Sequence, residues 1–178
     1  MKAFVEPFRQ LGIYEELAGK LKKNRGVLWL SGCVDSQKIP GAYALWQGYS
    51  RRLLITYSEQ KAQELYEDCR YFDRAAVLSP AKDFLFFHAD IQGNLLVQQR
   101  VRALQALLTK PEVTVITTFD GLMDRLRLLK TVEDSILCIG RDSIVQMDAL
   151  AEKLARLGYE RVLQVEGPGQ FAVRGGIV

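Results

Sequence analysis

Long apolar runs are missing from this chain. No stretch approaches the roughly 18 consecutive apolar residues of a membrane-spanning helix, and the first residues, Met1-Lys2-Ala3-Phe4-Val5-Glu6-Pro7, hold no apolar core of the secretory kind. These absences predict a cytoplasmic chain with no membrane partner. Cysteine is scarce too: Cys33, Cys69 and Cys138 are odd in number, widely spaced and without a C-x-x-C pair. That pattern excludes a disulfide framework and predicts reduced, mostly buried thiols. The single histidine, His88, rules out a paired-histidine metal site and completes no recognisable Ser-His or Cys-His motif, so it reads as structural. Charge of one sign is also lacking. A net charge of +3 and a pI near 8.8 are too mild to argue for nucleic acid without a localised patch. The 178 residues, 48% apolar and 25% charged, suit an ordinary globular protein with one sizeable core, or one domain and part of another. No cofactor or metal is expected.

What is present centres on Leu28-Trp29-Leu30-Ser31-Gly32-Cys33-Val34-Asp35-Ser36-Gln37-Lys38-Ile39, an apolar run leading into an incomplete phosphate-binding loop. The intact loop, G-x-x-x-x-G-K-[ST], cradles phosphates on backbone N–H groups, reaches the outer phosphates with its Lys and holds Mg²⁺ with its hydroxyl. Gly32 and Lys38 stand at the right spacing. Gln37 replaces the second glycine and Ile39 replaces the hydroxyl, so the frame is predicted without its chemistry. An ordinary strand-to-helix turn would account for the same residues.

Alternating patterns predict the rest. Phe8 to Leu21 is expected as an amphipathic helix closed by Asn24-Arg25-Gly26, and Val27 to Leu30 as a strand buried on both faces. A helix over Ala42–Gln47 follows, then a strand over Arg52–Thr56 and a helix over Glu59–Tyr71, capped by Ser58 and facing inward with Ala62, Leu65, Tyr66 and Cys69. A strand is expected over Ala75–Leu78. Phe84 to Phe87 could stack on nucleobases or fold back as core. Helix Leu96–Leu108, with an apolar stripe of Val97, Val101, Leu104 and Leu108, leads to strand Val113–Thr117 and helix Phe119–Leu129. Arg125, Arg127 and Lys130 form a basic set that suits phosphate, with a solvated helix face the preferred reading. Strands alternating with helices predict an α/β domain with a parallel sheet, P-loop-NTPase-like but degenerate, over residues 1–130.

Residues 131–178 change character. A strand over Ser135–Ile139 and a helix lined by Met147, Leu150, Ala151, Leu154 and Leu157, closed by Gly158, precede two short runs, Arg161–Val165 and Gln170–Arg174. The turn Glu166-Gly167-Pro168-Gly169 between those runs predicts an antiparallel hairpin. The tail is expected to be the start of a small α+β domain, truncated after Gly175-Gly176-Ile177-Val178.

Leu157-Gly158-Tyr159-Glu160-Arg161, Gly169-Gln170-Phe171 and Val173-Arg174-Gly175-Gly176-Ile177-Val178 resemble the module shared by the excision-repair protein UvrB and the transcription-repair coupling factors. In UvrB the phosphate loop is intact; the loop broken at Gln37 and Ile39 resembles the coupling factors' N-terminal UvrB-like region. The resemblance implies a non-catalytic module that recruits UvrA, with Arg174 at the position of an essential UvrA contact. It also implies that RNA polymerase and DNA are partners through other parts of the intact protein, an ATP-driven DNA translocase. A different reading is an ATP- and DNA-binding domain of the UvrB or helicase kind. That would need an acidic pair at a strand end for Mg²⁺, where this chain has Thr117-Thr118-Phe119-Asp120 and Ile139-Gly140-Arg141-Asp142.

Overall fold

The computed structural model describes residues 2–23, 26–81, 90–124, 129–140 and 142–178. The chain divides into two compact units, Met1–Leu126 and Arg127–Val178. His88, the Phe84–Phe87 cluster, Arg125, Arg127 and Arg141 lie outside the described residues. No described helix is long and apolar enough to cross a membrane.

The first unit is built on a three-stranded parallel sheet, β1 (Arg51–Thr56), β3 (Val113–Thr118) and β2 (Ala76–Leu78), in the order β1-β3-β2. Arg51 pairs with Val113 and Thr56 with Thr118 along one side of β3, and Ala76 to Leu78 pair with Thr114 to Ile116 along the other. Every residue of β3 is buried, as a central parallel strand covered on both faces requires. Its alternation separates two cores. Ile116 joins Ile39, Ala62, Cys69, Ala76 and Leu78 on one face, while Val113 and Val115 join Ala106 on the other. The first face carries helices α3 (Asp35–Trp46) and α4 (Glu59–Phe72), the second α5 (Asp90–Thr109). Ser58 caps α4 by accepting the Lys61 N–H at 3.2 Å. The inward set Ala62, Leu65, Tyr66 and Cys69 packs as its spacing predicts.

Several expectations are corrected. Val27–Leu30 is not a strand: it pairs with none of β1, β2 and β3, and Val27 and Trp29 stand 95% and 86% exposed. Phe8–Leu21 is two helices, α1 (Lys2–Arg9) and α2 (Tyr14–Lys23), because the chain turns at 10–13 to lay both against α3. There the Phe8 ring packs on Gly41, whose absent Cβ would lie 3.2 Å from it, and the Tyr14 hydroxyl donates to Ala44 O. The helix expected over Ala42–Gln47 begins seven residues earlier at Asp35 and runs through Pro40. On α5 the inward residues are Ala103 and Ala106, whose small side chains admit the sheet, whereas Val97 and Val101 are exposed. The helix expected over Phe119–Leu129 is the short α6 (Phe119–Met123) in this unit.

Polar pairs brace the sheet's two ends. At the start of β1, the nearly buried Arg52 guanidinium lies 3.4 Å from Asp73, whose carboxylate accepts the Thr114 hydroxyl at 2.5 Å. At the far end, Arg100 bonds both Asp124 and Pro80 O. Cys69 is fully buried, and burial, with the nearby Asp73 charge, pushes its thiol up to about 12.

In the second unit, α7 (Leu129–Asp134) precedes α8 (Met147–Arg156), whose stripe Met147, Leu150, Ala151 and Leu154 is half-buried as its period predicts. Gly158, at φ +92, ends α8, with its own N–H on Ala155 O and the Tyr159 N–H on Leu154 O. Ser135–Ile139 finds no strand partner among the described residues, and Ile139 is half exposed. The tail differs most. β4 (Glu160–Arg161) and β5 (Gln170–Phe171) pair in parallel, Glu160 with Gln170 and Arg161 with Phe171, so the expected antiparallel hairpin does not form. Residues 162–169 return the chain to the same end, and Phe171, at 6% exposure, is the residue the second strand buries. An antiparallel bridge occurs later, between Arg174 and Ile177 across Gly175-Gly176.

Candidate functional site

Two places were predicted to carry function, the loop remnant and Arg174. At the remnant, Gly32 takes the left-handed conformation, φ +80, that a phosphate-cradling turn uses, and then the geometry departs. The Gln37 N–H bonds Val34 O at 2.9 Å, so it points back into the first turn of α3 and not toward a ligand. Lys38 bonds Asp35, one turn before it on the same helix, at 2.6 Å. Lys61 bonds the other Asp35 oxygen at 3.3 Å. The hydrogen bond from Lys38 first, then that from Lys61, hold the Asp35 carboxyl below the usual carboxylate range. Ile39 is 3% exposed and belongs to the core. The cavity beside the loop, of about 480 Å³, is walled by Phe8, Leu11, Leu17 and Leu30 as well as by Gln37 and Lys38. It is an apolar recess with one cation at its rim, already neutralised by Asp35.

The strand end that would carry metal-binding acids is used otherwise. The Thr117 hydroxyl donates to Ser79 O at 2.7 Å, and the Thr118 hydroxyl donates to Glu59 at 2.6 Å while accepting the Gly121 N–H at 3.1 Å. These bonds fasten α6 and the start of α4. Asp120 and Asp142 are both exposed. Among the described residues no group of three or more His, Cys, Asp or Glu could hold a metal ion.

Arg174 lies on the surface of the second unit. Its Nη2 donates to Leu163 O at 2.7 Å. Its backbone is held as firmly, because the N–H and O of Arg174 exchange bonds with Ile177 at 3.0 and 3.1 Å across Gly175, φ +58. The exposed guanidinium is thus braced against the 162–169 segment. Sequence reasoning missed Gln170: its Oε1 accepts the N–H groups of Glu166 at 3.0 Å and Gly167 at 3.2 Å, gathering the loop that carries Leu163. A polar side chain directly after Gly-Pro-Gly was the signal available for it. Leu163, 89% exposed, marks the outer side of that loop.

Residues 137–178 match the UvrB interaction domain family. The chain is 27% identical to the transcription-repair-coupling factor of Bacillus subtilis (strain 168) over 127 residues, which is 70% of this chain and 11% of that protein. It is 30% identical to that of Staphylococcus haemolyticus over 128 residues, 71% of this chain and 11% of that protein. With that of Staphylococcus aureus (strain bovine RF122 / ET3-1) it shares 28% over 157 residues, 87% of this chain and 13% of that protein. The chain thus spans only 11% to 13% of the length of these relatives. The expected resemblance is borne out: the chain is similar to the transcription-repair-coupling factors over most of its length, and residues 137–178 match the UvrB interaction domain family.

Proposed function

We propose that this chain is a non-catalytic, UvrB-like recruitment module that docks on UvrA and so couples stalled transcription to nucleotide excision repair. Residues 1–130 form a degenerate P-loop-like frame and residues 131–178 the docking domain, with Arg174 as the contact residue. RNA polymerase and DNA would be met through other parts of a longer protein of the coupling-factor kind. The observation that supports this reading is Arg174 itself, exposed and braced by Leu163 O within the segment that matches the UvrB interaction domain. Its planar fork suits bidentate pairing with a partner carboxylate in a way Lys cannot copy. Nucleotide chemistry is disfavoured by the residues present, since Ile39 is in the core and Lys38 is paired within its own helix.

The test is a titration of purified UvrA with the chain and with Arg174→Glu. Reversing a desolvated charge contact costs ~2–5 kcal/mol, so binding should fall by more than about 30-fold. The fold loses one exposed hydrogen bond, worth under about 1.5 kcal/mol. An Arg174→Glu variant that binds as well as the parent, or that fails only because it has unfolded, would refute the role of Arg174.

A further inference from the structure

We propose that Gln170 is a positioning residue for the docking arginine. The inference rests on the recruitment reading and names what holds that site in shape. The segment 162–169 must leave β4 and return to the same end of β5, since the two strands run parallel. Such a connection has no ladder of its own, and its form depends on how its polar groups are met. At its two ends the strands supply partners: Glu160 N–H bonds Gly169 O at 2.8 Å and Val162 N–H bonds Phe171 O at 2.9 Å. Between those ends, side chains do the work. Gln170 Oε1 takes two amides, Glu166 N–H at 3.0 Å and Gly167 N–H at 3.2 Å, while Arg174 takes one carbonyl, Leu163 O at 2.7 Å.

The two clasps are coupled through the backbone of Gln164 and Val165. Leu163, whose carbonyl braces the guanidinium, lies just before Glu166, whose amide is fixed by Gln170. Gly167 and the left-handed Gly169, φ +85, give this stretch little stiffness of its own. With the Gln170 acceptor gone, the Glu166 and Gly167 amides turn to water and Leu163 O is no longer held in place. Arg174 then keeps its charge and exposure but loses its fixed orientation, and ordering it falls to the binding step. The function asked of residue 170 is only to accept two N–H bonds. A Glu carboxylate can do that as well as the Gln carbonyl oxygen; Ala cannot.

The experiment compares the 178-residue chain with Gln170→Ala and Gln170→Glu, by titration of purified UvrA, by amide hydrogen exchange and by thermal melting. Gln170→Ala is expected to weaken UvrA binding by about 2- to 10-fold, the cost of immobilising one long side chain, and to speed exchange at Glu166 and Gly167. Gln170→Glu is expected to restore both. The positioning role is overturned if Gln170→Ala leaves binding unchanged, if exchange at the two amides is the same in parent and Gln170→Ala, or if Gln170→Glu is as defective as Gln170→Ala. Failure of the parent chain to bind UvrA would instead overturn the recruitment reading, and this role with it.

Discussion

Ile39 and Cys69 face the same core, and each converts a sequence position into a physical commitment. Ile39 stands where a phosphate loop needs a hydroxyl, and at 3% exposure it packs into the core with Ile116. Cys69 is the buried thiol that its helical spacing predicts, whereas Cys33 and Cys138 are exposed, against the expectation that most thiols would be covered. The difference is local: Cys69 lies on the inner stripe of α4, while the other two fall in segments 31–34 and 135–140 that form no helix or strand. A thiol reagent at neutral pH should therefore modify Cys33 and Cys138 quickly and Cys69 only after unfolding. The Cys69 thiol, raised by burial to about 12 from an ordinary 9.0, also carries a sign. Its folded pKa exceeds its unfolded one, so its contribution is complete below about pH 9 and declines as pH rises toward 12. Urea midpoints between pH 8 and about pH 11 should fall more steeply for the parent than for Cys69→Ala, and parallel slopes would contradict this.

At the scale of elements, legibility followed how local the cause was. Helix α4 was readable almost residue by residue, because Ser58, the inner stripe and the following turn all lie within one stretch of chain. Ser58→Ala should accordingly cost about 1 kcal/mol, seen as a lower urea midpoint, while Ser58→Asp, which keeps an acceptor at the cap, should retain most of it. The strands β1, β2 and β3 were readable as apolar runs. The same signal at Val27–Leu30 and Ser135–Ile139 led to no strand, because an apolar run states what can be buried and not whether a neighbouring edge is available. The tail failed for a related reason. Gly-Pro-Gly marks a reversal but not its direction, and parallel pairing of β4 with β5 depends on where Phe171 is buried. Bonds spanning long separations, Arg52 with Asp73 and Arg100 with Asp124, left no local trace at all.

For the whole molecule, the two candidate sites differ in kind. In the loop, Lys38 is bonded to Asp35 and Ile39 is buried, and the second unit presents a braced arginine in a segment matching the UvrB interaction domain. Calorimetric titration with ATP and Mg²⁺ should therefore show no binding tighter than about 0.1 mM, roughly 5.5 kcal/mol, and a tighter complex would favour the ATP-binding alternative. The resemblance carried by Gly169-Gln170-Phe171 and Val173-Arg174-Gly175-Gly176 was legible before any fold, but the brace on Arg174 was not, since it depends on a loop closing back through Leu163. The most direct measurement of recruitment through a UvrB-like surface is displacement of labelled UvrB from UvrA by this chain. The chain should displace UvrB, and Arg174→Glu, folded to the same melting temperature, should not. Simultaneous occupancy of UvrA by both proteins, or equal displacement by parent and Arg174→Glu, would contradict it.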